Sequence, residues 1–343
     1  MPTTPSSAGR RSKRSTKDLH TQQISAVGPA PDAAEVAVDA PPGNAGSSRK
    51  RLLIRGSAIL GFVAVGVGLG WWQYGWRSPP YYIVQSERPL AAPILTMEQY
   101  GQLSDQHERP FVFELRSGEG AVLMFGAEHT VDPANPQIKD IEERWKAFKP
   151  DVGLLEGRLG FAIAGVDSAI EAFGEPAMVY WLAHNEGADV YTWEQPPEVE
   201  VTHLLRDYSP KHTAAFLILR PYFSNYRHGP PANPEDFVEE FRAKRTQLPG
   251  LENTFASVGE LNAFWDSEFP DGPAWQETSD QYGLPGYLAQ IAARGNTIRD
   301  EHLAQAILEL VANGKRVFVV AGSSHAVKLK PALQATLNQT QAP

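Results

Sequence analysis

Two Gly-x-x-His motifs contain the residues best suited to chemistry in this sequence. Gly126-Ala127-Glu128-His129 follows the apolar run AVLMF, and Gly322-Ser323-Ser324-His325 follows the apolar run VFVVA. With 29 glycines and 9 histidines in the chain, roughly one such match is expected by chance, so a single motif carries little weight. Two motifs that both close apolar strands predict a pair of imidazoles at one sheet edge, where glycine lets the backbone approach a ligand. The alternative for each histidine is a structural role at a turn.

Two glutamates occupy similar positions after other predicted strands. Glu156 follows the apolar run VGLL, and Glu194 follows DVYTW. A carboxylate at the end of a buried strand is unfavourable unless it is paired, bound to a ligand or solvated, so Glu156 is predicted to belong to the site. A local ion pair with Arg158 is the alternative, because side chains two residues apart in a strand point the same way. Glu194 is the weaker candidate, since it begins a proline-rich turn.

One arginine is predicted to reach the same sheet edge from a helix. A helix is expected over residues 297–313, with its buried face running from Leu303 to Leu310. Arg299 lies on that face in the first turn, against the usual preference for acidic residues at this position. A guanidinium there suits a carboxylate, a phosphate or a developing oxyanion. His302 could join it, with a surface position as the alternative.

Composition excludes several kinds of chemistry and of partner. The chain has no cysteine, which excludes a disulfide scaffold, a zinc–thiolate site and a thiol nucleophile. It also lacks Gly-x-Ser-x-Gly, His-Glu-x-x-His, Walker and Gly-x-Gly-x-x-Gly motifs. Residues 56–343 carry 22 Lys/Arg against 36 Asp/Glu, and a region this acidic is poorly suited to binding nucleic acid.

The hydrophobic periodicity predicts an α/β fold with a mostly parallel central sheet flanked by helices, because strands alternate with helices. Strands are expected in five apolar runs, of which the first two form a hairpin: 111–116, 121–125, 152–155, 189–193 and 316–321. Helices are expected at 134–148 and 176–185, and a last helix is expected to start near Lys328. Residues 197–285 are polar, rich in proline and aromatic residues and helical in pattern, which predicts an inserted helical cap.

The N-terminal part of the chain predicts one membrane anchor. Residues 1–51 contain basic clusters and no aromatic residue, as expected for a disordered basic cytoplasmic tail. Residues 52–76 contain an uncharged apolar run and end in an aromatic belt, as in a single transmembrane helix that acts as a signal anchor. A buried soluble helix is the alternative. The basic clusters precede the span, so the folded domain at 97–339, after a stalk at 77–96, is expected in the periplasm or outside the cell.

Four segments in a fixed order resemble the TraB/GumN–Tiki group and its wider relatives, the erythromycin-esterase and ChaN families. FGAEHT is similar to the first Gly-x-x-His motif of these families and VFVVAGSSHAV to the second. PDVGLLEGR resembles their glutamate strand, and NTIRDEHLAQAI their arginine helix. The resemblance spans about residues 110–333 and implies a site made of His129, Glu156, Arg299 and His325.

The resemblance implies two classes of function. The first is a membrane-anchored hydrolase outside the cytoplasm, which cleaves a peptide or another amide or ester bond. Its His129, Glu156 and His325, with Glu194, would hold Mn²⁺, Co²⁺ or Zn²⁺, or a His/Glu pair would activate water without a metal. Arg299 would stabilise the oxyanion. The second class is a non-catalytic envelope protein that binds haem or another ligand through the same histidines. A scaffold without chemistry is the third reading, and the substrate and oligomeric state stay open.

Overall fold

The computed structural model describes residues 75–103, 106–160, 162–163, 165–226 and 229–339. The predicted cytoplasmic tail and nearly all of the predicted anchor at 52–76 lie outside these residues. None of the helices in the described part of the chain combines the length and the apolarity that crossing a bilayer requires.

A five-stranded sheet forms the centre of the fold. After a short strand β1 (Gly75–Trp76), the chain forms β2 (Phe111–Ser117), β3 (Gly120–Ala127), β4 (Val152–Leu155), β5 (Ala162–Ile163), β6 (Asp189–Thr192) and β7 (Arg316–Gly322). The sheet has the order β2-β3-β7-β4-β6, whereas β1 and β5 pair separately. Its strands are parallel except for β2, which forms the predicted hairpin with β3. The α/β class and the mostly parallel sheet are therefore confirmed.

Helices cover both faces of this sheet, which explains the continuous apolar runs of its strands. The chain forms α1 (Met97–Leu103), α2 (Pro136–Phe148), α3 (Val166–Phe173) and α4 (Glu175–Glu186) around the first strands. Leu123 and Phe125 of β3 pack into one core with α2 and α4. The alternate residues Val122 and Met124 pack into a second core on the opposite face. Strands β3, β4 and β7 are thereby buried on both sides, and the carboxyl ends of the parallel strands lie at a common edge.

A separate helical region follows β6 in the chain. It contains α5 (Pro197–Leu204), α6 (Pro210–Asn225), α7 (Pro234–Arg245) and α8 (Val258–Glu268), followed by α9 (Tyr287–Ala312). These helices bury an aromatic core of their own that includes Tyr222 and Trp275. The first half of α9 packs into this core, while its second half, from Leu303 onward, packs against the sheet. Helix α9 therefore connects the two parts of the molecule.

The predicted start of α9 was wrong by ten residues. The helix was expected from residue 297, but it begins at Tyr287 and continues through Gly295. Gly295 is buried beside α5, where a Cβ added to it would lie in ordinary contact with Glu200, at 3.6 Å. Arg299 therefore lies in the middle of a long helix, and the argument that placed it in a first turn does not apply.

The predicted start of the last helix was also wrong. Helix α10 (Ser323–Gln339) follows β7 without a loop, so it begins five residues before Lys328. His325 consequently lies in the first turn of a helix and is buried. His129 lies in the loop that precedes α2, beyond the end of β3. The two motifs thus leave their strands along different paths.

Residues 77–96, the segment predicted as a stalk, lie along the folded domain. Thr192 N donates to Pro80 O at 2.9 Å, which adds this segment to the edge of the sheet beside β6. Glu309 of α9 accepts from Tyr82 Oη at 2.7 Å and from the backbone amides of Gln85 and Ser86 at 2.8 and 2.7 Å. These contacts hold the segment against α9, the helix that carries Arg299.

Candidate active site

The polar residues singled out from the sequence meet at the carboxyl edge of the sheet. Strands β3, β4, β6 and β7 run parallel, so the residues that follow them lie side by side. His129 follows β3, Glu156 follows β4, Glu194 comes two residues after the end of β6, and His325 follows β7. Arg299 reaches this edge from α9. The structure thus brings all five residues into one region, and direct polar contacts connect Glu156, Glu194, Arg299 and His325.

Glu156 is the centre of this region. Its Oε2 accepts from the backbone amide of Gly322 at 2.6 Å, and its Oε1 accepts from Arg299 at 3.1 Å. Nε2 of His325 lies 3.6 Å from the same Oε1. Burial alone would raise the pKa of Glu156, but His325, Arg299 and His129 together lower this pKa far below the ordinary carboxyl range. The surrounding positive charges therefore favour the ionised form of Glu156.

The local alternative for Glu156 is not realised. The guanidinium of Arg158 stacks over the ring of Tyr81, 4.4 Å from its centroid. Leu155 ends β4, and Gly157 has a φ of 72°, so the strand geometry that would align Glu156 with Arg158 does not continue. Arg158 therefore serves another part of the molecule.

Arg299 holds two carboxylates at once. Its Nε and one terminal nitrogen bind Glu194 at 2.9 and 2.5 Å, in addition to the contact with Glu156. The guanidinium also lies 5.1 Å from the ring centroid of buried Trp193. Burial alone would lower the pKa of Arg299, but Glu194 and Glu156 raise it above its ordinary value. Glu194 is thus an ion-pair partner rather than a solvated turn residue.

His325 is enclosed between two carboxylates. Its Nδ1 lies 2.5 Å from Asp300 Oδ1, while its Nε2 faces Glu156. The second oxygen of Asp300 accepts from Lys328, and both of these side chains are only 2% exposed. Burial alone would lower the pKa of His325, but Asp300 and Glu156 raise it above the ordinary histidine value. Both ring nitrogens of His325 thus face carboxylates, an arrangement that favours the doubly protonated ring.

His129 has a carboxylate partner at Nδ1 and an exposed side chain. Its Nδ1 lies 2.7 Å from Oε1 of Glu175, and the other oxygen of Glu175 accepts from the Thr130 amide at 3.2 Å. The Glu175 side chain is 3% exposed, whereas that of His129 is 62% exposed. Because a carboxylate can only accept, Nδ1 carries the proton in neutral His129, and Nε2 keeps its lone pair.

The glycines of the two motifs, Gly126 and Gly322, allow the segments around them to approach closely. A Cβ on Gly322 would lie 2.9 Å from Nε2 of His129 and 3.7 Å from Oε2 of Glu156. Both atoms therefore lie close to the backbone of Gly322. A Cβ on Gly126 would lie 2.6 Å from Ala326 Cβ and 2.7 Å from Phe111 O. Neither glycine has a positive φ. Close approach, rather than a sharp turn, is the reason for glycine at both positions.

Three residues of this region were missed from the sequence. Glu175 and Asp300 hold the Nδ1 atoms of the two histidines, and Lys328 neutralises Asp300. Asp300 offered a signal, because the apolar residues Leu303, Ala304 and Ile307 follow it at helical spacing, on the buried face of the helix. Glu175 offered less, because an acidic residue before a proline at a helix start usually serves only the helix dipole. His302, considered as a partner of Arg299, instead faces Tyr82 O at 3.1 Å.

A cavity of about 560 Å³ adjoins the charged cluster. Glu156 and Arg299 line one part of it, and Phe216, Arg220 and Phe223 of α6 line another. It thus has a charged part beside the sheet edge and a second part formed by the helical region, where apolar residues lie beside Arg220 and Asp280. A small organic molecule or a peptide side chain would fill such a space.

A divalent metal fits these side chains poorly. Within the described ranges, no three His, Asp or Glu side chains are grouped so as to hold a metal ion. The carboxylates of Glu156 and Glu194 already bind Arg299, and a metal on the same oxygens would lie beside a guanidinium. Both nitrogens of His325 also face carboxylates. The donor set is that of an ion-pair network.

No protein-family model matches the chain, and neither a curated protein nor a solved structure is similar enough to it to count as a match.

Proposed function

We propose that this chain is a hydrolase of the TraB/GumN–Tiki type that cleaves a peptide or another amide or ester bond. The observation that carries the proposal is the environment of His129. A buried carboxylate orients its Nδ1, its side chain is 62% exposed, and its Nε2 lies next to Gly322 and the Glu156 carboxylate. An imidazole held in this way by a carboxylate is the arrangement that general bases use in hydrolases.

In the proposed reaction, His129 Nε2 accepts a proton from water while the water oxygen attacks the carbonyl carbon. The protonated imidazole then donates this proton to the leaving nitrogen or oxygen as its bond to carbon breaks. Arg299 lines the cavity, and its positive charge would stabilise the oxyanion that forms on the carbonyl oxygen. Glu156 and His325 keep Arg299 and the Gly322 backbone in place.

We propose the form of this reaction that needs no metal, because Arg299 occupies the carboxylates that a metal would require. The haem-binding alternative is less well supported. His325 has a carboxylate at each ring nitrogen, so it offers no lone pair for an axial bond.

The helical region at 197–285 would act as a cap that selects the substrate, since α6 lines the cavity opposite Glu156 and Arg299. The proposed setting is a single-pass membrane protein, with the anchor in residues 52–74 and the folded domain in the periplasm or outside the cell. The span was expected to end at Trp76, but Trp76 is buried in the fold against Tyr180, so the anchor ends before it. The charge asymmetry of the N-terminal sequence supports this orientation.

The test is hydrolysis of a panel of chromogenic peptide, amide and ester substrates by the full chain in a mild detergent. We expect His129→Ala to lower the rate by about 10²–10⁴-fold, the usual contribution of a general base. His212→Ala is the matched control, because His212 Nε2 also faces a carboxylate, Glu268, at 3.2 Å, but in the helical region. Activity should survive treatment with EDTA. No hydrolysis across the panel, or equal rates for both variants, would contradict the proposal.

A further inference from the structure

A second cavity, of about 640 Å³, has a lining of positive charge. Arg77, Arg158 and His184 contribute the basic groups, and Tyr81 and Tyr180 contribute aromatic rings. No aspartate or glutamate is among the described residues that line it. This is unusual in a region of the chain where acidic residues outnumber basic ones.

The two arginines of this cavity are not used in ion pairs. Within the described part of the chain, neither Arg77 nor Arg158 lies within ion-pair distance of a carboxylate, and Arg158 turns away from neighbouring Glu156 to stack on Tyr81 at 4.4 Å. A guanidinium that stacks by its face keeps its N–H edges available. The cavity therefore presents hydrogen-bond donors and positive charge.

The walls of the cavity are held in place by contacts on each side. Trp76 is buried against Tyr180, with ring centroids 5.4 Å apart, and Arg77 follows directly. Ser78 Oγ donates to Leu159 O, which ties the Arg77 segment to the Arg158 segment. The hydrogen bond from Thr192 N to Pro80 O fixes the neighbouring backbone. The backbone segments that carry Arg77 and Arg158 are thus positioned before any ligand binds.

We propose that this cavity binds the phosphate group of an anionic ligand. Guanidinium N–H edges match phosphate oxygens in geometry and charge, and an imidazole adds a further donor when it is protonated. The phosphate chemistry is independent of the proposed hydrolysis. A phospholipid head group is one source of the phosphate and requires the proposed anchor, because Arg77 directly follows the predicted span at 52–76. Free phosphate is the other source.

The experiment is calorimetric titration of the full chain in an uncharged detergent. One arm uses inorganic phosphate, and the other uses dihexanoyl phosphatidylglycerol below its micelle concentration. We expect Arg158→Gln to weaken binding about tenfold, in line with the loss of one charge-assisted hydrogen bond. Arg77→Gln should have a similar or smaller effect. Arg116→Gln is the matched control, because Arg116 is an exposed arginine on β2, at the opposite edge of the sheet.

Tighter binding of the phosphatidylglycerol, weakened by Arg158→Gln but not by Arg116→Gln, would support the site with a lipid as its source. Equal binding of both ligands with the same dependence on Arg158 would support a site for free phosphate. The absence of binding in both arms, or binding that neither Arg158→Gln nor Arg77→Gln changes, would overturn the proposal. Retained or lost hydrolysis has no bearing on this result.

Discussion

The two Gly-x-x-His units share a motif and differ in their surroundings. Both end parallel neighbouring strands, and in both a buried carboxylate holds Nδ1 of the histidine. The side chain of His129 is 62% exposed, however, while that of His325 is 8% exposed and faces a second carboxylate through Nε2. One motif therefore exposes its imidazole, and the other encloses its imidazole between two carboxylates.

This difference arises from the path of the chain beyond each strand. After β3 the chain enters a loop that ends at Pro136, so His129 extends beyond the sheet edge. After β7 the chain turns directly into α10, and the first helical turn buries His325 between α9 and the sheet. The spacing within the motif is the same in both, so the start of the next helix decides the role of the histidine.

The two units should differ most in how much stability is lost when the carboxylate at Nδ1 of the histidine is removed. Asp300→Ala removes the partner of two buried cations, His325 and Lys328, and should lower the free energy of unfolding by about 3–5 kcal/mol. Glu175→Ala removes the partner of an exposed histidine and should cost less. Urea denaturation of both variants checks this order. An equal loss of stability would mean that the two units have the same structural role.

Substitution of the motif glycines by alanine should also affect the two units differently. Gly126→Ala places a methyl group against backbone and Ala326, and should lower the free energy of unfolding by about 1–3 kcal/mol. Gly322→Ala meets mainly the exposed ring of His129, which can move. We therefore expect a nearly normal melting temperature for Gly322→Ala but slower hydrolysis. Wild-type rates in a folded Gly322→Ala protein would show that the position of His129 is not important for the reaction.

Substitution of Glu175 tests whether the carboxylate orients the base. Glu175→Gln keeps the shape of the side chain and an acceptor oxygen but removes the charge at His129 Nδ1. Losses of about 10–100-fold are usual when a side chain that orients a functional histidine is changed. We expect kcat to fall in this range, with little change in KM. Unfolding curves recorded in parallel separate this effect from a loss of fold, and an unchanged kcat would exclude the proposed role.

The pH dependence of the free energy of unfolding should come from the buried residues His325 and Glu156. The pKa of His325 is raised in the folded protein, so its stabilising contribution is complete below the ordinary histidine pKa and is lost as pH rises through the raised value. The pKa of Glu156 is lowered, so its contribution is present above the ordinary glutamate pKa and is lost as pH falls through the lowered value.

The alkaline loss should disappear in His325→Gln and remain in His129→Gln. Chemical unfolding of the wild type and both variants from mildly acidic to alkaline pH measures it. An alkaline loss that persists unchanged in His325→Gln would assign it to another group.

The five strands of the central sheet were predictable, whereas the starts of two of the predicted helices were not. The runs AVLMF, VGLL and VFVVA are apolar on both faces, and only a parallel sheet covered on both sides buries them all. The start of α9 was missed because its first half packs in the core of the helical region, which no local periodicity reveals. The start of α10 was missed because Ser323 and Ser324 have the composition of a loop.

The site residues that closely follow a strand were predictable from the sequence. The residues that contact them from helices distant in sequence were less predictable. His129, Glu156 and His325 could be found because their strands lie parallel and end together. Glu175 and Asp300 contact these histidines from helices. Glu175 is 46 residues from His129 in sequence, and Asp300 is 25 residues from His325. Such contacts depend on how α4 and α9 pack on the sheet, which short motifs do not encode.

The central claim is that His129 is an accessible base and His325 a buried cation. It is tested most directly by long-range ¹H–¹⁵N NMR of the histidine rings near neutral pH, with the signals assigned through His129→Gln and His325→Gln. We predict that both ring nitrogens of His325 are protonated, and that neutral His129 carries its proton on Nδ1 and has an unprotonated Nε2. A neutral His325, or a His129 ring with its proton on Nε2, would contradict the account.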